Sequence, residues 1–346
     1  MKNKFFIAVA LIISVFLSGC GNRERLTIYT WDEMFPQEIL RGFEKETNIR
    51  INYINFDENE TMLARLQASR GGNYDLIIAD DYIIEMAIAE GLVQKLDKSK
   101  LYNFRNINPI YQGQFYDPAD EYTVPYGAGV VTIVYDPRRV DINISGYEDL
   151  WDTSLVNNVG TIGNFRVING MALKVNGESY NTNDLAVIRS AGDLLLRLAP
   201  NIRLIRDDRL EEELLSGEIA AAVLYTSMAT AAKMEDPELE KVYPREGIGF
   251  GIMAGFIPVN ASNPEAAHKF LNYILDAQRG AICFEYLGYY CTFSASDFFI
   301  LPEHREFLTL PEGFNLEMEM IQNISPEAEE LHNLVWTEFR RAAGNN

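Results

Sequence analysis

The sequence predicts an α/β fold organised in two regions, and three observations carry that prediction. Residues 26–66 read as strand, helix, strand, helix: one βαβα unit. Residues 74–79 add another short apolar strand that, like the first, runs into a polar loop before a helix. Between Tyr122 and Tyr135 an extended segment interrupted by Pro125, Gly127 and Gly129 separates this region from a second α/β pattern, and 346 residues suffice for two domains of ordinary size.

The elements follow in order. Residues 26–30 form an apolar strand that stops at Trp31-Asp32-Glu33. Pro36 opens a helix in its first turn, where a missing N–H costs nothing. Ile39, Leu40 and Phe43 give that helix its apolar face, and Asn48 is the expected left-handed stop. Ile49, Ile51 and Tyr53 alternate with polar residues as a second strand, and Asn59 begins a second helix that ends at Gly71-Gly72. The strand at 74–79 leads into Asp80-Asp81-Tyr82 and an apolar helix capped by Gly91. Residues 101–121, rich in Asn, Pro, Tyr and Asp, read as an irregular connection.

In the second region, Ser145-Gly146-Tyr147-Glu148 has capping-box spacing. Strands are expected at 159–162, 203–205 and 220–225, the last ending in Tyr225. Helices are expected at 183–198, stopped by Pro200, and at 210–215, stopped by Gly217. Ser227, just after a buried strand, reads as a helix cap. Residues 247–259 form a Gly-punctuated run that reads as the return crossing to the first region. Asn263-Pro264 starts another helix, a helical pattern runs on to Gly288, and Ser325-Pro326 opens a terminal helix with Leu331, Leu334, Val335 and Phe339 on its apolar side.

In open α/β sheets ligands bind beyond the carboxyl ends of the strands. Two such loops carry Trp31, Asp32 and Glu33, and Asp80, Asp81 and Tyr82, and loops from adjacent units should meet in space. An aromatic face attracts an ammonium through its quadrupole and a carboxylate neutralises it, so both loops suit an organic cation. The alternative for each is a packed core aromatic beside solvated acids.

A formal net charge of -20 argues against nucleic acid, whose phosphates need clustered Lys and Arg. Lys2 and Lys4 precede the apolar run 5–16, which is too short to span a bilayer well and has the form of a signal peptide. It ends in Leu17-Ser18-Gly19-Cys20, which resembles a bacterial lipobox. A signal peptide over residues 1–19 and a lipidated Cys20 are therefore expected, with the exported chain held at the membrane by its acyl chains. Removing two lysines takes the charge from -20 to -22. Export permits a disulfide between Cys283 and Cys291, and the sequence leaves that pairing open. Glu265-x-x-His268 and Glu329-x-x-His332 have the spacing of a carboxylate-bundle metal motif without its four facing helices. Gly247-x-Gly249-x-Gly251 lacks the βα context of a dinucleotide loop, and no Gly-x-Ser-x-Gly elbow occurs. No metal, cofactor or catalytic residue is expected.

A wider set of motifs resembles one family. It comprises Tyr29-x-Trp31-x-Glu33-x-x-Pro36, Phe43-Glu44-Lys45-Glu46-Thr47, Asn59-Glu60-Thr61-Met62, Tyr74-Asp75-Leu76, Gln94-Lys95-x-Asp97, Val124-Pro125-Tyr126, Asp149-Leu150-Trp151 and Gly288-Tyr289. Together these resemble the periplasmic spermidine/putrescine-binding proteins of ABC transporters, within the bacterial extracellular solute-binding proteins. The resemblance implies a two-lobed periplasmic-binding-protein fold of the type II kind, each lobe a central sheet flanked by helices, joined by hinge crossovers. Lobe 1 is expected to comprise 26–128 with 256–301, and lobe 2 129–255 with 302–346. It implies a receptor, not an enzyme, that closes on a small polyamine and delivers it to permease subunits.

Position by position, the resemblance matches Trp31, Glu33 and Tyr82 to ligand contacts of the first lobe, Tyr225 to an aromatic contact of the second, Tyr289 to an aromatic after the Gly-Tyr turn, and Gln322 to a late amide contact. Asp32, Asp80 and Asp81 stand where relatives usually have uncharged residues. Asn164 and Val167 occupy the places of two second-lobe carboxylates, and Gly251 and Met253 those of a Trp and an Asp. The acid is thus expected mainly on the first lobe. A different small organic cation, a monoamine or a cationic amino-acid derivative, is the alternative ligand, and an exported enzyme on the same two-lobed scaffold is the third reading.

Overall fold

One long strand, Thr123–Tyr135, belongs to two sheets in turn, and this divides the molecule into two lobes. The computed structural model describes residues 23–309 and 318–344; the signal peptide at 1–19 and Cys20 lie outside the described residues. Strand β1 (Arg25–Thr30) is followed by helix α1 (Gln37–Thr47), β2 (Arg50–Asn55), α2 (Asn59–Ala68), β3 (Leu76–Asp80) and α3 (Asp81–Ala89). β1 lies parallel between β2 and β3, with Leu26 opposite Ile51 and Tyr29 opposite Ile77. Alternation explains β1: its apolar side chains are buried and its polar start is not. Pro36 is the N-cap of α1 in extended conformation, one residue earlier than its sequence suggested, and Asn48 ends the helix in left-handed conformation with its N–H donating to the Glu44 carbonyl.

β4 (Thr123–Tyr135) opens the crossing. The second region then builds β5 (Val159–Thr161), α4 (Phe165–Val175), α5 (Leu185–Leu198), β6 (Ile202–Ile205), α6 (Leu210–Ser216), β7 (Ala221–Tyr225), α7 (Thr226–Glu235) and β8 (Glu240–Val242). The chain returns through β9 (Ile248–Phe256), α8 (Pro264–Ile274), α9 (Ala277–Leu287), β10 (Tyr290–Cys291) and α10 (Pro302–Leu308), and ends with β11 (Met318–Met320) and α11 (Pro326–Ala342). The strand order is β2-β1-β3-β9-β4-β7-β5-β6. Residues 123–130 of β4 pair with β9, and residues 131–135 pair with β7 and β8. The crossover is therefore one continuous strand, with a register shift between Pro125 and Gly127.

Each lobe buries its own core. Val131 to Leu239, joined by Ala328, Val335, Trp336 and Phe339 of α11, form one; the residues flanking β1, β3 and β9 on the two faces of the first sheet form the others. In α11, Trp336 turns inward while Leu334 is 47% exposed, because the helix packs on α4 and α5 along a face rotated from the one its aliphatic residues predict. The Ser145 capping pattern closes through Asp149, whose carboxylate accepts from the Ser145 and Gly146 N–H groups; Glu148 instead pairs with Arg245. α4, which the sequence reading passed over, is capped by Asn164, whose Oδ1 accepts from the Val167 N–H at 3.2 Å. Ser227 lies inside α7, and Tyr225 is its N-cap residue.

The two His motifs are committed to packing. His268 accepts the Asp97 N–H at 2.9 Å and His332 contacts Asn169 at 3.0 Å, while Glu265 pairs with Lys100 and Glu329 with Arg166. Cys283 and Cys291 are buried free thiols.

Candidate functional site

The β1–β3 register sets Trp31 level with the carboxyl end of β3, so the first two polar loops are neighbours. Trp31 is half-buried, its ring 4.8 Å from Phe56, and it packs against both faces of the first-lobe core. The Tyr53 hydroxyl donates to the Trp31 carbonyl at 2.9 Å and the Met34 N–H donates to the same hydroxyl at 3.2 Å, which pins the loop. Glu33 has a left-handed backbone, φ 55°, and its N–H donates to Asp32 Oδ1 at 3.0 Å. Both carboxylates are exposed and face the phenols of Tyr53 and Tyr286.

The second loop divides its two acids. Asp80 Oδ2 accepts from Asn59 Nδ2 at 2.8 Å. Burial pushes its carboxyl up to about 6; the Asn59 hydrogen bond opposes that and Glu60 adds to it. Asp81, only 3% exposed, points inward: Oδ2 accepts from the Ile252 N–H at 3.0 Å and Oδ1 from the Tyr82 N–H at 2.8 Å. Burial, with Asp80 beside it, holds that carboxyl up at about 8. Asp81 is thus the tie between the start of α3 and the crossing strand β9. Tyr82 donates to Glu60 Oε1 at 2.9 Å, and across the cleft it lies within electrostatic reach of Arg166.

From the second lobe, Tyr225 ends β7 half-buried. Burial raises its phenol well above the ordinary tyrosine range; Asp80, Tyr289 and Asp207 raise it further, and Asn164 sits at its hydroxyl. The Tyr289 phenol is raised by burial and by Asp80, against a hydrogen bond with Ser227. Asp80, Tyr225 and Tyr289, from three separate stretches of chain, thus lie within electrostatic reach of one another. The Tyr289 ring lies over the crossing strand: a methyl added at Gly129 would stand 2.9 Å from its Cδ1, and one at Gly127 3.7 Å from its Cβ. Thr226 binds the same strand, its hydroxyl accepting from the Val130 N–H at 2.8 Å and donating to the Val130 carbonyl at 3.0 Å.

Gln322 is exposed, with its backbone engaged: its N–H donates to Asn181 Oδ1 at 2.8 Å and its carbonyl accepts from Arg166 at 3.2 Å. Val167 and Met253 are buried, and Gly251 faces Asp81. Two groups at the cleft were missed by the sequence reading. Arg166 is buried beside Glu329 and Tyr82, and Asp207 follows the carboxyl end of β6 with its Oδ1 accepting the Gly163 N–H at 2.7 Å. The strand-end rule that selected Asp80 would have found Asp207.

The family model described as bacterial extracellular solute-binding protein matches residues 38–297 of this chain. The spermidine/putrescine-binding periplasmic protein of Salmonella typhimurium is 33% identical over 283 residues, covering 82% of this chain and 81% of the relative. Among solved structures, a Listeria monocytogenes chain assigned to spermidine/putrescine ABC transport superposes with a TM-score of 0.85 at 29% identity, over 92% of this chain and 99% of that one. The substrate-binding protein of a spermidine/putrescine ABC transporter from Streptococcus pneumoniae gives 0.81 at 26% identity, over 92% and 99%.

Proposed function

This chain belongs to the bacterial extracellular solute-binding protein family, and from that premise we propose that it is the receptor of an ABC importer for a small polyamine, putrescine or spermidine. The observation that carries the reading is that the Asp80 carboxylate lies within electrostatic reach of the Tyr225 and Tyr289 phenols, which come from separate stretches of chain. A carboxylate among aromatic faces, partly withdrawn from water, recognises an ammonium group by charge and by quadrupole together. Trp31 and Tyr82 extend the aromatic wall along the first lobe, Gln322 borders it from the second, and Asp32 and Glu33 offer charge at the outer end for the second ammonium of a diamine. Asp81 serves the site through its hold on α3 and β9.

The lobes act as the two moving bodies, hinged where β4 passes from one sheet to the other and where the chain returns before β9. Ligand bridging the cleft favours the closed form, which the permease subunits then unload. The chain works outside the cytoplasm, held by acyl groups on Cys20. A receptor binds its ligand and returns it unchanged, so no chemistry is assigned to the cleft.

A thermal-shift panel of putrescine, spermidine, cadaverine, monoamines and amino acids, with each ligand recovered afterwards by mass spectrometry, tests this reading. A diamine or triamine should raise the midpoint and be recovered intact. A shift with monoamines or cationic amino-acid derivatives alone would move the assignment to those cations, and consumption of the ligand would make the protein an enzyme. Cys20→Ser should leave an uncleaved or released protein; unchanged membrane retention would remove the anchor.

A further inference from the structure

The second lobe is short of acid at the positions where the family resemblance sought it, yet it presents one from another loop. We propose that Asp207 is the second-lobe counter-charge for the ligand, closing with Asp80 of the first lobe on a single ammonium group, with Tyr225 between the two carboxylates. The inference rests on the amine-receptor reading and adds to it the group that makes binding depend on closure.

Three observations meet at Asp207. The loop after β6 aims it at the cleft: its Oδ1 is held by the Gly163 N–H at 2.7 Å, and Gly163 keeps the space clear, since a methyl there would stand 2.5 Å from Asp207 Oδ2. Its carboxyl lies within electrostatic reach of Asp208 beside it and Arg340 of α11, and also of Glu58 at the start of α2 in the first lobe. The Tyr225 phenol lies within electrostatic reach of both Asp207 and Asp80.

Among the described residues neither carboxylate forms an ion pair. Among the described residues the other second-lobe acids are largely engaged, as in Arg138 with Asp136, Asp236 and Glu238, or Arg245 with Asp149; no Lys, Arg or His comes within ion-pair distance of Asp80 or Asp207. Asp80 is half-buried and Asp207 exposed; two unpaired carboxylates that closure brings toward one another are stabilised by a cation from outside. The Tyr225 and Tyr289 rings beside them select an organic ammonium over a small hard metal ion, which takes oxygen ligands in number. A primary ammonium, with three donors, can serve both carboxylates and a phenol at once.

The test is titration calorimetry of putrescine on the purified protein and on Asp207→Asn, Asp80→Asn, the double variant, and Asp208→Asn as the control of equal charge. Asn at 207 keeps an oxygen for the Gly163 N–H, and urea unfolding without ligand checks that each variant folds. Asp207→Asn and Asp80→Asn should each weaken binding at least tenfold, the double variant should lose less than the product of the two, and Asp208→Asn should stay within twofold. Asp207→Asn within twofold of the parent, while Asp80→Asn binds poorly, would overturn this proposal and leave the receptor intact. Full additivity of the pair would likewise overturn the shared ammonium. Failure of the parent protein to bind any amine would remove both readings.

Discussion

Gly129→Ala tests the link between crossing strand and ligand wall. Gly129 is in an extended strand, so backbone strain plays no part, and alanine there would by itself gain about 0.5–1 kcal/mol over glycine. The methyl would meet Tyr289 Cδ1 at 2.9 Å, Cε1 at 3.0 Å and Thr226 Oγ1 at 3.2 Å. Carbon contacts are optimal near roughly 3.5–4.0 Å, so the ring must retreat by about 0.6 Å or more. Overpacking of this kind costs about 1–3 kcal/mol, which exceeds the backbone gain over most of that range and leaves a net loss of up to about 2.5 kcal/mol. Urea unfolding of the ligand-free protein reads that loss, and calorimetry with putrescine should show weaker binding as the ring leaves its place beside Asp80. The decisive arm is the same substitution in Tyr289→Ala: with the ring gone, Gly129→Ala should become neutral or stabilising. An equal loss in both backgrounds would refute the steric reasoning.

Acid should weaken the ligand's hold while steadying the empty protein. Asp80, facing Asn59, Glu60, Asp81, Tyr225 and Tyr289, has its carboxyl raised to about 6, and a cation needs the ionised form. Affinity should be level above pH 7 and fall by up to tenfold per unit below about 6, a slope that Asp80→Asn should flatten when calorimetry is run from pH 5 to 8. A raised carboxyl favours the protonated folded state, so this contribution to stability is complete below about pH 4 and lost as pH rises through about 6 for Asp80 and about 8 for Asp81. Trp31→Ala should weaken putrescine by about 1–2 kcal/mol, the loss of a cation–π face, with little change in the unfolding midpoint of a half-buried loop residue. Asp117→Ala should destabilise by about 2–4 kcal/mol in urea, because that buried carboxylate accepts from the N–H groups of Glu121, Tyr122 and Thr123 and from the Thr123 hydroxyl, setting the start of β4.

What the sequence disclosed was what local chemistry decides. The period-2 run at Leu26–Thr30, the Asn48 stop and the Gly288 turn are each fixed by a few neighbouring residues, and strand ends carrying Trp31 and Asp80 follow from them. The rest depends on partners remote in the chain. Asp80 and Asp81 look alike in sequence, but the first turn of α3 swings Asp81 onto the Ile252 N–H and leaves Asp80 at the cleft. Asp207 gains its direction from Gly163, 44 residues away, and its meaning from Tyr225 and Glu58. The rotation of α11 that exposes Leu334 and buries Trp336 is set by α4 and α5, and no periodicity within the helix records it. The continuity of β4 through Pro125, Gly127 and Gly129 is also tertiary: β9 and β7 hold the strand extended where composition alone reads as a break.

A small amine that bridges the two lobes should close them. Small-angle scattering of the purified protein, free and saturated with putrescine or spermidine, measures that closure directly. The radius of gyration should fall with ligand, and should fail to do so in Asp80→Asn at the same amine concentration. A radius unchanged by an amine that calorimetry shows to be bound would contradict the two-lobed closing mechanism.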